Sequence, residues 1–129
     1  MKKLISVSLG STLLVFAALV YWAHFTISGL RWMNTYVIHN HDHFLPCEAL
    51  PSREQVARLL EENRNLVKAI EREGPPTIIS VFAGTPHASC PEKADITIFF
   101  GSLKQRESIE EKFLNDKHLL GVPVTLRNV

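Results

Sequence analysis

From Leu4 to Ala23 the chain carries no charged side chain, and only His24 interrupts the apolar run before Arg31. This run constrains the fold most, because so long an apolar segment must be buried in protein or leave water altogether. A bilayer core about 30 Å thick is crossed by roughly 20 apolar residues in a helix, and the run meets that length. Gly10, Ser11 and Thr12 are tolerated in such a helix, and Tyr21 and Trp22 stand where an interfacial aromatic belt lies. Two other readings exist. As a cleaved signal peptide the run has Met1-Lys2-Lys3 as its basic start, but the apolar stretch is long and Tyr21-Trp22-Ala23 is a poor cleavage site. The other is a buried helix of a soluble fold. The run predicts an uncleaved transmembrane signal anchor over residues 1–30, with membrane lipid as the partner of residues 4–30.

Lys2 and Lys3 precede the run, and only Arg31 closely follows it. The positive-inside bias then predicts a single-pass protein with a cytoplasmic amino terminus and an extracytoplasmic remainder. Gly10-Ser11-Thr12-Leu13-Leu14, ahead of an apolar helix, resembles the start of a type IV pilin. The glutamate that such proteins carry is Val15 here and the aromatic after the glycine is Ser11, so the resemblance stays confined to this stretch.

The 129 residues leave room after the anchor for one domain with a modest core. Of the 14 Lys and Arg, only Lys2 and Lys3 precede Arg31, while all 13 Asp and Glu follow it. The domain is therefore close to neutral, and without a basic face no nucleic acid partner is expected.

Residues 31–51 read as a first strand and a loop leading into a domain core at 52–129. Thr35, Tyr36, Val37 and Ile38 favour an extended strand, against a competing continuation of the helix. Pro46 and Pro51 break the loop. Ser52 with Gln55 forms a capping-box pattern, and Val56, Leu59, Leu60, Leu66, Val67 and Ile70 make the apolar stripe of a helix over 52–73. Gly74-Pro75-Pro76 stops it. Strands are predicted at 77–83 and 94–100, joined by a long hairpin loop. A second helix begins at Ser102, again with Gln three residues on, and carries Ile109 and Phe113 inward. A terminal strand alternates Val122, Val124 and Leu126, with Pro123 arguing for a sheet edge.

The order β-α-β-β-α-β predicts an α+β domain of ferredoxin-like type, or a three-stranded αββαβ variant if residues 32–39 continue the helix. Such topologies host many functions, so activity must be argued from a site. Right-handed crossovers make the first and second strands parallel, and likewise the third and fourth, which collects the 40–51 loop, the 84–93 hairpin and the 116–121 connection at one pole. Cys47 and Cys90 then become neighbours and disulfide candidates, and His41, His43, His87 and His118 gather nearby, with His39 below.

Three chemistries compete at that pole. In the first, Cys47 and Cys90 are bridged and the histidines are solvated. In the second, His39-Asn40-His41-Asp42-His43 alternates along an extended backbone, so His39, His41 and His43, with His87 or the cysteines, are candidate ligands for zinc or copper. In the third, Cys90 and His87 act as nucleophile and base, although no orienting group accompanies them. Phosphate-cradling glycine loops, serine elbows and Cys-x-x-Cys pairs are missing from the sequence, so catalysis is the weakest of the three. The sequence thus predicts a membrane-anchored extracytoplasmic interaction domain with a protein partner, or alternatively a metal-binding module.

Overall fold

The computed structural model describes the backbone of residues 2–129 and the side chains of residues 11–22 and 26–129. The side chains of Leu4 to Gly10 and of Ala23 to Phe25, which belong to the predicted anchor, lie outside the described residues, as do the lysines and Met1 used to orient it. The chain divides into two units, Met1–Ile38 and His39–Val129.

The first unit holds helices α1 (Lys2–Phe25) and α2 (Ile27–Tyr36). Thr26 makes the break between them. Its amide and hydroxyl both donate to the Trp22 carbonyl, and its hydroxyl oxygen accepts from the Gly29 amide as the N-cap of α2. Among the described residues no single helix is long and apolar enough to cross a membrane. Ser11–Trp22 and Ile27–Tyr36 together have that length and composition, but they are bent by 86°. The strand expected over 35–38 is corrected here: Thr35 and Tyr36 end α2, and the Val37 and Ile38 amides both donate to the Met33 carbonyl. Once Thr26 has started a helix, each further residue adds a bond with no new nucleation cost, and a β preference of about 1 kcal/mol does not reverse that.

In the second unit the capping box at Ser52 forms as the sequence predicts, with Gln55 bonded back to the Ser52 amide. The helix it starts is interrupted, however, into α3 (Arg53–Glu62) and α4 (Arg64–Glu71). Asn63 causes the interruption, because its side-chain amide donates to the Leu59 carbonyl at 2.9 Å and competes with the helical ladder. Strand β1 (Ser80–Gly84) follows three residues later than the β-branched run suggests, since Thr77 takes φ 75° and Ile78 closes a turn onto Pro75. Strand β2 (Asp95–Phe100), helix α5 (Leu103–Phe113), the two-residue β3 (His118–Leu119) and β4 (Val122–Asn128) complete the domain.

The four strands lie in the order β1-β2-β4-β3. β1 and β2 form the expected antiparallel hairpin, and β2 pairs in parallel with β4 across α5, with Ile96 opposite Val124. The ferredoxin-like arrangement is not formed, because its first strand is spent on α2 and β4 sits directly beside β2. What forms is a mixed α+β fold close to the αββαβ variant, with β3 added. Pro123 is therefore not at an edge. Val124 donates to the Lys117 carbonyl, which makes His118–Pro123 the non-hydrogen-bonded pair of its ladder, and the β2 ladder opens only at Val124.

Strand alternation gives the sheet two unlike faces. Ile96, Ile98, Phe100, Val124 and Leu126 are fully buried against Val56, Ile70 and Ile109 of the helices. The opposite face carries Asp95, Thr97 and Phe99 of β2 beside Thr125 and Arg127 of β4.

Candidate functional site

The loops that converge over the polar sheet face are joined covalently. Cys47 and Cys90 form a disulfide between a 3-10 turn (Cys47–Ala49) and the β1–β2 loop, 43 residues apart in sequence. Hydrogen bonds continue the seam: Ala94 donates to the Pro51 carbonyl, the Arg53 amide to Glu92, and the Lys93 ammonium to the Leu50 carbonyl at 3.0 Å. The pairing read from the sequence is present, and Cys90 in this state offers no thiol nucleophile.

Beneath the seam lies a buried carboxylate. Asp95 is 1% exposed, and its oxygens accept hydrogen bonds from the Thr97 hydroxyl at 2.9 Å, the Thr125 hydroxyl and His43 Nε2 at 3.1 Å. Burial alone raises the pKa of Asp95, but the bonds from His43, Thr125 and Thr97 together outweigh it, so the group is held below the usual carboxylate range. His43 Nδ1 accepts from the Leu45 amide at 3.0 Å, which fixes the tautomer with its proton on Nε2, directed at Asp95. Both ring nitrogens of His43 are thereby committed to holding the loop. Gly84 of the neighbouring strand makes room for the network: a Cβ there would fall 1.9 Å from the Thr97 hydroxyl and 2.6 Å from an Asp95 oxygen.

A pocket of about 200 Å³ opens beside this network, lined by Asp42, His43, Phe44, Pro86, His87, Thr125 and Arg127. His87 Nε2 donates to the Leu45 carbonyl at 2.7 Å, and Arg127 closes one wall through an ion pair to Asp42 at 2.7 Å. Phe44 stands 53% exposed at the rim on a residue with φ 53°. Farther down the same face Phe82 and Phe99 meet edge to face at 5.0 Å, Phe82 remaining exposed.

The zinc or copper site expected from the histidines is overturned. Among the described residues no group of three or more His, Cys, Asp or Glu could hold a metal ion. The alternation from His39 to His43 requires an extended backbone, but His39 takes φ 62°. His41 lies opposite Leu126 on the helix-covered face, exchanging two backbone hydrogen bonds of 2.9 Å with it. Burial, then the charges of Lys117 and Arg106, lowers the pKa of its imidazole. Those cations belong to a separate cluster in which Arg106 and Lys117 share Glu110, whose carboxyl they hold down against burial. His39 contributes its carbonyl to Arg106, and His118 Nδ1 donates to the Asp116 carbonyl at 2.7 Å. His43 and His87 line one pocket, while His41 pairs with Leu126 and His118 with Asp116.

Sequence reasoning missed Asp95, Thr97, Thr125 and the Asp42–Arg127 pair. One signal was available: an aspartate opening a six-residue strand whose other residues are all apolar except Thr97, so that burial is expected. Compared with protein-family models, with curated proteins and with solved structures, the chain finds no match.

Proposed function

We propose that this chain is a membrane-anchored binding module, held in the bilayer through its amino-terminal helical unit, with the disulfide-braced domain on the extracytoplasmic side as a docking platform for another protein. The observation that carries the reading is the Cys47–Cys90 bridge, a bond that persists in oxidising compartments, in a chain whose first helix presents Leu13, Leu14, Val15 and Phe16 outward. The open sheet face is the contact surface best suited to a partner. It offers Phe82, Phe99 and Phe44 as apolar anchors and Arg127 as a polar rim, a composition typical of interface cores. The opposite face is occupied by helices.

Site-specific photocrosslinking in intact membranes tests this. A photoreactive residue at Phe82 is expected to give a discrete protein adduct, while one at Glu61, on the exposed side of α3, gives none. Equal, diffuse labelling at both positions would remove the docking platform. A second arm, alkylation with a membrane-impermeant thiol reagent after reduction, is expected to label both cysteines in sealed cells; labelling only after lysis would reverse the orientation.

A further inference from the structure

α2 is two-faced: Ser28, Arg31 and Thr35 recur at three- and four-residue spacing along one side, and Gly29, Met33 and Tyr36 along the other, with Trp32 adjoining. The apolar side is the one turned toward α1. Gly29 is buried there, Trp32 lies 6.3 Å from Trp22, and Tyr36 continues the row at 5.9 Å from Trp32. On that side Tyr36 nonetheless remains 66% exposed and Trp32 48%. The 86° bend is fixed by the hydrogen bonds of Thr26 to both helices, so the two helices meet at a corner with its own caps.

A helix at right angles to one that crosses a bilayer lies in the plane of that bilayer. The side it turns toward the crossing helix is then the side it turns toward lipid. We propose that α2 is an interfacial helix whose binding partner is the lipid surface at the boundary between headgroups and acyl chains, seated by Trp22, Trp32 and Tyr36. Aromatic rings with one polar edge favour that layer, and amphipathic helices lying in it bury their apolar side about 5–10 Å deep. The surface would hold the chain's exit from the bilayer flat and keep Arg31 toward the headgroups. This inference rests on the anchoring reading above and adds an orientation that anchoring alone does not require.

Depth separates the two geometries. Were α2 a straight continuation of α1, Trp32 would stand about 15 Å beyond Trp22 along the axis, at 1.5 Å per residue. On the bent geometry both tryptophans occupy one layer. The full chain, reconstituted in phosphatidylcholine vesicles, is compared as two single-tryptophan variants, Trp22→Phe and Trp32→Phe, using lipids brominated near the headgroup or near the acyl terminus. Both variants are expected to be quenched most by shallow bromines, at depths agreeing within a few ångströms. The unmodified chain, whose only tryptophans are these two, should lose nearly all its emission to shallow bromines without any substitution. If Trp32 escapes quenching and emits as in water while the protein floats with the vesicles, the interfacial placement is wrong and anchoring stands. Quenching of Trp32 chiefly by deep bromines also overturns it. If the protein does not float with vesicles, anchoring itself fails.

Discussion

Removing the disulfide is the perturbation whose size can be worked most directly from the structure. The bridge closes a loop with its ends 43 residues apart. On the chain-entropy model such a loop restricts the unfolded chain by about 4 kcal/mol at 25 °C. A small domain has only about 5–15 kcal/mol in total, so the loss is a large share of its stability. The substitutions should be Cys47→Ala and Cys90→Ala together. Cys90 is 4% exposed, and a serine there would add an unpartnered hydroxyl to the buried site. The native seam survives the change in part, because Ala94–Pro51 and Lys93–Leu50 still bond across it, so the cost falls mainly on the unfolded state. Hydrogen exchange by mass spectrometry suits the measurement, since every Trp and Tyr precedes residue 39 and intrinsic fluorescence does not report on the domain. Amides of β2, central in the sheet, should exchange about 1,000-fold faster in the double variant, the factor equivalent to about 4 kcal/mol. Exchange in β2 within about fivefold of the wild type, roughly 1 kcal/mol, would refute the reasoning and show that the seam and core brace the loops without the bridge.

The Asp95 network yields three more outcomes. Thr125→Val removes one hydroxyl donor from a buried carboxylate while keeping the volume, and should cost about 1–3 kcal/mol in chemical denaturation followed by circular dichroism, with Thr125→Ser close to wild type. Gly84→Ala should destabilise by about 1–3 kcal/mol through overpacking against Thr97; in combination with Thr97→Ala the cost should fall below the sum of the single changes, and strict additivity would contradict the close approach. Because the folded-state pKa of Asp95 is lowered, its contribution to stability is fully present above the unfolded carboxylate pKa, about 3.9, and is lost as pH falls through the folded value. Melting temperatures between pH 6 and pH 3 should therefore fall less steeply for Asp95→Asn than for the wild type, and parallel curves would assign the acid sensitivity elsewhere.

Local chemistry wrote part of this structure into the sequence. Ser52 with Gln55 and Ser102 with Gln105 start α3 and α5 where the capping pattern places them, since a cap involves atoms only three residues apart. The alternation of Ile96, Ile98 and Phe100 names the buried face of β2 before any neighbour is known, and two cysteines in one small domain made Cys47–Cys90 the expected bridge, although the first strand that placed the 40–51 loop beside Cys90 is not formed. The tertiary structure decided the rest. Thr35 and Tyr36 became helix because Thr26 had already turned the chain and restarted it. The histidines parted because His39 adopts a backbone angle that period-two alternation cannot anticipate, and because Asp95 claims His43 from 52 residues away. A buried carboxylate is stable only where donors from separate strands and loops meet; the sequence marks Asp95 at the head of its strand, but which donors reach it is a property of the folded chain.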